Sequence, residues 1–291
     1  MIKSIDHDIS NLLKDCRVSK CLNREYQSEY LHAEFSEEIR KFSPFFEMFN
    51  TVSKFIEWIN EKNKLNDNIW LGISGSWRTI NQKIINDTAT ITRKIINSGN
   101  GILTGGALGI DYLTTEIVLK EGDPKNQLRI ALPINRFAYM EHFSDSSFKK
   151  NGVTDEQRDS LIKQLGYIES YVPEIIFDQT HVDEEKFLFY DFINPDNVDN
   201  KIADKRREDY YDFRNGLVAY GCDGLVALCV NSSKGVLKTL GKVENSGKPF
   251  RLYNYSINVN SRGVINDYSK LRILNLPDNY PLSKKSSEKT D

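Results

Sequence analysis

The sequence has few cysteines, no long apolar run and almost no excess of charge, and each absence excludes a class of protein. Its cysteines, Cys16, Cys21, Cys222 and Cys229, show neither Cys-x-x-Cys spacing nor a nearby histidine pair, so no zinc site is expected. A chain of 291 residues can bury a sufficient core without disulfides, and a reduced, cytoplasmic setting is predicted. Because no stretch of about 18 uncharged apolar residues occurs, no membrane partner is expected.

The charge balance also excludes a molecule that is basic as a whole. Lysine and arginine number 39 against 41 acids, which gives a net charge of -2 and leaves room only for a local basic patch. His181 lies among acids in DQTHVDEEK, but the spacing does not define a ligand set, and we interpret it as part of a solvated loop. We therefore expect no metal and no cofactor.

From residue 69 onward, short apolar runs alternate with longer segments of helical period. The predicted strands are IWLGIS (69–74), GILTG (101–105), LRIALP (128–133), DGLVALCV (223–230) and PFRLYNYS (249–256). Strands that alternate with helices indicate parallel pairing. The predicted fold is therefore α/β, a Rossmann-like open parallel sheet flanked by helices.

The remaining segments give the domain organisation. Residues 1–66 contain no convincing strand and predict a helical N-terminal extension, with apolar residues at helical spacing in 45–62. The sheet domain covers 67–258 and is interrupted by a long insertion at about 135–200, which holds a predicted helix in DEQRDSLIKQLGYIESY. Residues 259–291 predict an edge segment, LRILNL, and a disordered tail.

Three loops rich in glycine and small hydroxyl residues follow predicted strands, at 72–78, 104–111 and 231–235. Loops at the carboxyl ends of parallel strands surround the crevice where ligands bind, and glycine lets backbone N–H groups approach an anion at a helix N-terminus. A tight turn without a ligand is the alternative. The candidate binding residues in these loops are Gly72, Ser74, Gly75, Ser76, Arg78, Gly105, Gly106, Gly109, Asp111, Ser232, Ser233 and Gly235.

The segments GISGSWR, LTGGALGIDYLTTE and FRNGLVAYGCDGLVALCVNSSKGVLKTLGKVENSGKPF together resemble the SLOG superfamily of Rossmann-like domains. This superfamily unites the DNA-processing protein A (Smf) type with the Lonely Guy type of phosphoribohydrolase, and the resemblance covers about 69–133 and 205–255. It implies a phosphate-binding loop and adds Arg214 and Asn215 to the candidate nucleotide-binding residues. Two positions differ from the family motifs. The DNA-processing type has an Arg-Asn-Arg motif, in which Gly216 replaces the second arginine here. The phosphoribohydrolases have a glutamate at the position of Thr239.

Each proposed role has a simpler alternative. Asp111 suits accepting hydrogen bonds from ribose hydroxyls, or it is an acid that stabilises the first turn of a helix. Arg214 would pair with a phosphate or a base, or form a surface ion pair with Asp212 or Glu208. Ser232 and Ser233 would donate to a phosphate, or a serine there would cap the following helix. Trp77 and Arg78 would border a base, or the tryptophan would only pack against the core.

The sequence thus predicts the binding or sensing of a nucleotide or nucleotide-derived ligand at the carboxyl edge of the sheet. Two alternatives stay open. The first is hydrolysis of a nucleotide N-glycosidic bond, in which Asp111, Glu116 or a carboxylate of the insertion would replace the missing glutamate, since this chemistry needs a carboxylate. The second is binding of single-stranded DNA. A homo-oligomer is compatible with all three functions.

Overall fold

Six parallel strands form one sheet, and their order reverses once. The computed structural model describes residues 52–62, 69–77, 81–144, 153–178 and 200–257, and of residues 62, 144 and 200–207 it describes the backbone alone. The strands are β1 (Trp70–Gly75), β2 (Gly101–Thr104), β3 (Leu128–Ala131), β4 (Ile176–Phe177), β5 (Gly224–Val230) and β6 (Phe250–Tyr255). They pair in the order β4-β3-β2-β1-β5-β6, all parallel.

Helices connect these strands, and the prediction of an α/β open sheet is confirmed. In chain order they are α1 (Val52–Lys62), α2 (Gln82–Asn97), α3 (Ile110–Glu121), α4 (Pro124–Gln127), α5 (Arg136–Ser144), α6 (Asp155–Tyr171), α7 (Asn200–Gly221) and α8 (Lys234–Asn245), and a 3-10 turn spans Pro173–Ile175. Polar caps fix two of the helix starts. Asn81 accepts a hydrogen bond from the Ile84 amide, and Thr154 and Gln157 form a capping box at the start of α6.

The strand order places a topological switch between β1 and β5. From β1 the chain moves outward through β2 and β3 to β4, and it then returns to add β5 on the other side of β1. Connections that leave adjacent strands in opposite directions open a crevice at the carboxyl ends of those strands. The segment after β1 and the turn after β5 therefore border one crevice, as the loop prediction requires.

Strand β5 is buried on both faces and separates two hydrophobic clusters. Leu225, Ala227 and Cys229 belong to a cluster with residues of α7 and α8, whereas Val226 and Leu228 belong to a cluster with residues of α1, α2, α3, α5 and α6. Successive side chains of a strand point to opposite faces, so this alternation places the two clusters on the two sides of the sheet. The sequence of a strand that is buried on both faces is a continuous apolar run, and this is why β5 could be predicted.

Part of the segment predicted to be an insertion extends the sheet instead. Helices α5 and α6 lie within 135–200, and Ile176 and Phe177 form β4, which pairs with Ile130 and Ala131 of β3. Strand β4 has only two residues, so no periodicity marks it in the sequence. Burial of Ile175 and Ile176 against the core holds this short strand at the sheet edge.

Several predicted features lie outside the described residues, namely residues 1–51, LRILNL, the tail, His181, Cys16 and Cys21. Within the described ranges, Cys222 and Cys229 are buried free thiols, and no group of metal-ligating side chains is present. The described helices are all too short or too polar to span a membrane.

Helix α1 provides a test of the N-terminal packing. Ile59 is buried, and a Cβ at Gly224 of β5 would lie 2.6 Å from its Cδ1, so the helix sits directly on the strand. We expect Ile59→Ala to lower the free energy of unfolding by about 2–5 kcal/mol, because it leaves a cavity between α1 and β5. Urea denaturation measures this loss. The exposed Glu57→Ala on the same helix should change stability by less than about 0.5 kcal/mol, and equal losses in both variants would contradict this packing.

Candidate functional site

A cleft of about 100 Å³ lies at the switch between β1 and β5. Eight of the predicted residues line it: Ser74, Gly75, Gly105, Asp111, Arg214, Asn215, Ser233 and Gly235. The sequence assigned no binding role to five further lining residues, which are Ile73, Ala107, Val218, Val236 and Thr239, and Trp77 also lines the cleft. The three predicted loops and helix α7 therefore meet at one place.

The other predicted residues do not line the cleft. These are Gly72, Ser76, Gly106, Gly109 and Ser232, whereas Arg78 lies outside the described residues. Three of them are glycines, and a Cβ at each would lie less than 3.0 Å from a neighbouring atom. A Cβ at Gly109, whose φ is +76°, would lie 2.4 Å from the carbonyl oxygen of Ser76. At Gly106 (φ +62°) it would meet Leu132 at 2.6 Å, and at Gly72 it would meet a β5 side chain at 2.9 Å. For these three glycines the packing supports the alternative of a tight turn without a ligand.

Asp111 and Arg214 form a buried charge pair beside the cleft. Asp111 lies in the first turn of α3, where its carboxylate Oδ2 accepts a hydrogen bond of 3.3 Å from the Ala107 amide. The Arg214 guanidinium reaches it from α7, with Nη1 3.5 Å from Oδ2 of Asp111, and the same Nη1 donates to the carbonyl oxygen of Gly105 at 2.6 Å. Only 8% of the Asp111 side chain and 12% of the Arg214 side chain are exposed.

This burial changes the protonation of Asp111. Loss of solvent raises the pKa of the carboxyl from 3.8 to about 6, and the charge of Arg214 and the Ala107 amide oppose that rise only in part. The hydroxyl of Thr104 and the amide of Gly105 also stabilise the ionised carboxyl and lower its pKa. Asp111 thus places a hydrogen-bond acceptor at the wall of the cleft.

The position of Arg214 distinguishes its two predicted roles. The surface acids that could have paired with it have other partners: Glu208 accepts from Lys238 and Asp212 accepts from Lys242, each at 2.9 Å. Arg214 instead turns inward to the cleft. Among the described residues its Nη2 makes no hydrogen bond, so this nitrogen can donate to a ligand.

Two neighbours hold the guanidinium in that orientation. The Nε of Arg214 donates to the side-chain oxygen of Asn215 at 3.0 Å, and the ring of Tyr211 lies 5.5 Å from the guanidinium carbon. Tyr139 of α5 lies in the same region, with a fully buried hydroxyl whose pKa burial raises well above its usual value. Neither tyrosine was predicted from sequence, because α5 and α7 approach each other only in the folded chain.

Helix α8 begins at the opposite wall of the cleft. Ser233 is its N-cap residue, but its side chain makes no capping hydrogen bond, so the serine does not fulfil the capping alternative. The preceding residues Asn231 and Ser232 have φ values of +48° and +54°, which are uncommon for residues other than glycine. The space around a Cβ at Gly235 is open. The first amides of α8 therefore face the cleft without a side-chain cap.

The carboxylates considered for hydrolysis lie in different places. Glu116 is buried away from the cleft, where it accepts from Gln164 at 2.9 Å and pairs with Lys120 at 3.1 Å. Thr239 lines the cleft, but its hydroxyl donates to the carbonyl oxygen of Gly235 at 3.0 Å. Of the described carboxylates considered for this role, Asp111 alone lines the cleft.

Structures of DNA processing protein A are among the solved structures to which this chain is similar. The protein from Helicobacter pylori, studied for its mode of binding single-stranded DNA, is 15% identical, with 67% of this chain and 68% of that chain covered and a TM-score of 0.37. The protein from Streptococcus pneumoniae is 13% identical, with 67% of this chain covered and a TM-score of 0.37, and this chain spans 53% of its length. No protein-family model and no curated protein sequence matches the chain.

The raised pKa of Asp111 predicts how stability depends on pH. The folded protein keeps this proton up to about pH 6, whereas the unfolded chain loses it near 3.8. Ionisation of the buried carboxyl therefore lowers the free energy of unfolding as the pH rises from about 4 to about 6, by about 3 kcal/mol for this shift. Asp111→Asn lacks this loss, so its stability relative to the wild type should rise by about 3 kcal/mol between pH 4 and pH 7.

Chemical denaturation of both proteins at several pH values measures that difference. The difference between their free energies of unfolding contains no contribution from any other group that titrates in the same way in both proteins. A difference that stays constant between pH 4 and pH 7 would contradict the raised pKa.

Proposed function

We propose that this protein binds a nucleotide or nucleotide-derived ligand in the cleft between β1 and β5. The observation that carries the proposal is the unlike chemistry of the two cleft walls. One wall offers hydrogen-bond donors at the N-terminus of α8, and the other offers an acceptor, the buried carboxyl of Asp111. A phosphate attached to a sugar has the complementary pattern, an anion and a hydroxyl donor in one molecule.

The donor wall favours the phosphate. The amides in the first turn of α8 have no intrahelical partner, and the positive end of the helix dipole attracts an anion. The uncapped hydroxyl of Ser233 and the Nη2 of Arg214 add two donors at the same cleft. Open space at Gly235 lets an anion approach the backbone closely.

The acceptor wall favours a sugar hydroxyl. Asp111 lines the cleft, and a carboxylate has lone pairs to accept a ligand hydroxyl in addition to the Ala107 amide. A hydroxyl hydrogen bond to a buried carboxylate is charge-assisted and stronger than a neutral one. The half-buried Trp77 is the aromatic side chain at this cleft that could contact a base.

The size of the cleft fits one part of a nucleotide. Its volume of about 100 Å³ is below the range of about 300–1,000 Å³ that pockets for whole drug-sized ligands have. We therefore assign the phosphate and part of the sugar to the cleft and place the base at its mouth. We also propose a cytoplasmic location, which the buried free thiols of Cys222 and Cys229 support.

A charge at Gly235 tests the donor wall. Gly235→Asp puts a carboxylate where the phosphate would lie, so we expect it to abolish nucleotide binding. The same substitution should preserve or raise the melting temperature of the free protein, because an acid in the first turn of a helix is stabilising by about 0.3–1 kcal/mol. Thermal shift with a panel of nucleotides measures both effects, since a ligand at 100 times its Kd adds about 2.7 kcal/mol.

Gly235→Asn is the matched control, because asparagine has nearly the same size without the charge. It should keep most of the thermal shift that the wild-type protein shows. A folded Gly235→Asp protein that binds a nucleotide as tightly as Gly235→Asn would contradict the assignment of the phosphate to α8.

The two alternatives predict different measurements. Hydrolysis of the glycosidic bond would depend on Asp111, whose pKa of about 6 suits proton transfer, and chromatography would detect the released base. Binding of single-stranded DNA would weaken steeply as salt rises, because phosphate contacts release counterions. An intact nucleotide and a flat salt dependence would leave nucleotide binding or sensing as the function.

A further inference from the structure

We infer that Asp111 makes the cleft select its ligand by charge, so that a singly charged phosphodiester binds more tightly than a doubly charged phosphomonoester at pH 8. This inference rests on the proposed function, since it concerns the phosphate in the same cleft. It adds the chemical class of the ligand, namely a phosphate esterified on two sides.

The charges at the cleft cancel each other. Among the described residues that line it, only Asp111 and Arg214 are charged, and they face each other. Of the lysines of α8, Lys238 pairs with Glu208 and Lys242 pairs with Asp212, and Lys234, which stands between Ser233 and Gly235, is exposed and does not line the cleft. The lining is therefore neutral, apart from the partial positive charge of about +0.5 at the helix N-terminus.

The donors of Arg214 are largely committed before a ligand arrives. Its Nη1 bonds the Gly105 carbonyl oxygen and faces Asp111, and its Nε bonds Asn215. One nitrogen, Nη2, remains for a phosphate. A single negative charge is matched by this donor and the α8 amides, whereas a second negative charge would lie beside the nearly buried Asp111 carboxylate.

A doubly charged ligand has one way to avoid this repulsion, which is protonation of Asp111. The titratable and charged groups around the carboxyl are Arg214 and Tyr211 on α7 and Tyr139 on α5. Of these, Arg214 is the group whose charge favours the ionised acid. A phosphate that draws Arg214 toward itself weakens that effect, so binding of the dianion takes up a proton and becomes weaker as the pH rises.

Two sugar phosphates that differ in one methyl group measure this selection. Ribose 5-phosphate has a second pKa of about 6 and is a dianion at pH 8, whereas its phosphate methyl ester stays a monoanion. Neither probe has a base, so the comparison does not depend on which base the protein prefers. For the wild-type protein at pH 8 we expect the methyl ester to bind about tenfold more tightly or better, as repulsion across a few ångströms predicts.

Asp111→Asn should remove the preference, so that the two affinities at pH 8 become equal or reverse. The matched control is Asp212→Asn on α7, which changes the net charge of the protein by the same amount outside the cleft. It should keep the wild-type ratio of the two affinities. Because the readout is a ratio, a general loss of affinity in a variant cancels.

The outcomes separate the two claims. Equal binding of both probes to the wild-type protein at pH 8, or an unchanged ratio in Asp111→Asn, overturns the selection by charge and leaves the proposed function standing. No binding of either probe overturns the proposed function and this inference with it. If Asp111→Asn does not fold, the wild-type ratio at pH 8 decides the question.

Discussion

The bond of Arg214 to Gly105 and Asp111 is the interaction on which the cleft depends. It joins α7, the helix that precedes β5, to the loop between β2 and α3. These two segments belong to strands on opposite sides of the switch point between β1 and β5. The pair is nearly buried, and removing one partner of such a pair costs about 3–5 kcal/mol because the other charge is left alone. The wall that carries Asp111 is therefore held against α7 by this contact.

Backbone strain completes the second wall. Asn231 and Ser232 both have positive φ, a conformation that costs residues other than glycine about 1–3 kcal/mol each and that persists where other contacts enforce it. The side chain of Asn231 supplies such contacts, since it donates to the carbonyl oxygen of Ile257 and accepts from its amide, at 2.8 and 2.9 Å. The turn after β5 is thus fixed by the segment after β6, and α8 begins with its amides turned toward the cleft.

The sequence predicted the layers of this fold better than it predicted the site. Strands such as β5 are continuous apolar runs that end at glycine or at a polar turn, and these are local signals. By contrast, β4 has two residues and is held by tertiary burial. The sequence also cannot distinguish the glycines, because Gly109 and Gly235 both appear in it as a glycine at the start of a helix. In the structure Gly109 packs against Ser76, whereas Gly235 faces open space. The partner of Arg214 is also determined by tertiary structure. Its bond to Gly105 joins residues that are 109 positions apart in the sequence.

The presence of the Asp111 carboxylate in a cleft that we propose to bind an anion needs a physical explanation. Ionisation of Asp111 is opposed by burial, which raises its pKa to about 6, and an amide of the same shape would avoid that desolvation cost but leave the Arg214 charge without its partner. Groups that oppose stability and lie in a cleft are characteristic of functional sites. Here the carboxylate gives the proposed ligand an acceptor for its hydroxyl and gives Arg214 a fixed position, whereas a lysine or serine would accept no ionic hydrogen bond and hold no guanidinium. The same charge limits how much negative charge the ligand can bring, so the group that recognises the sugar also constrains the phosphate.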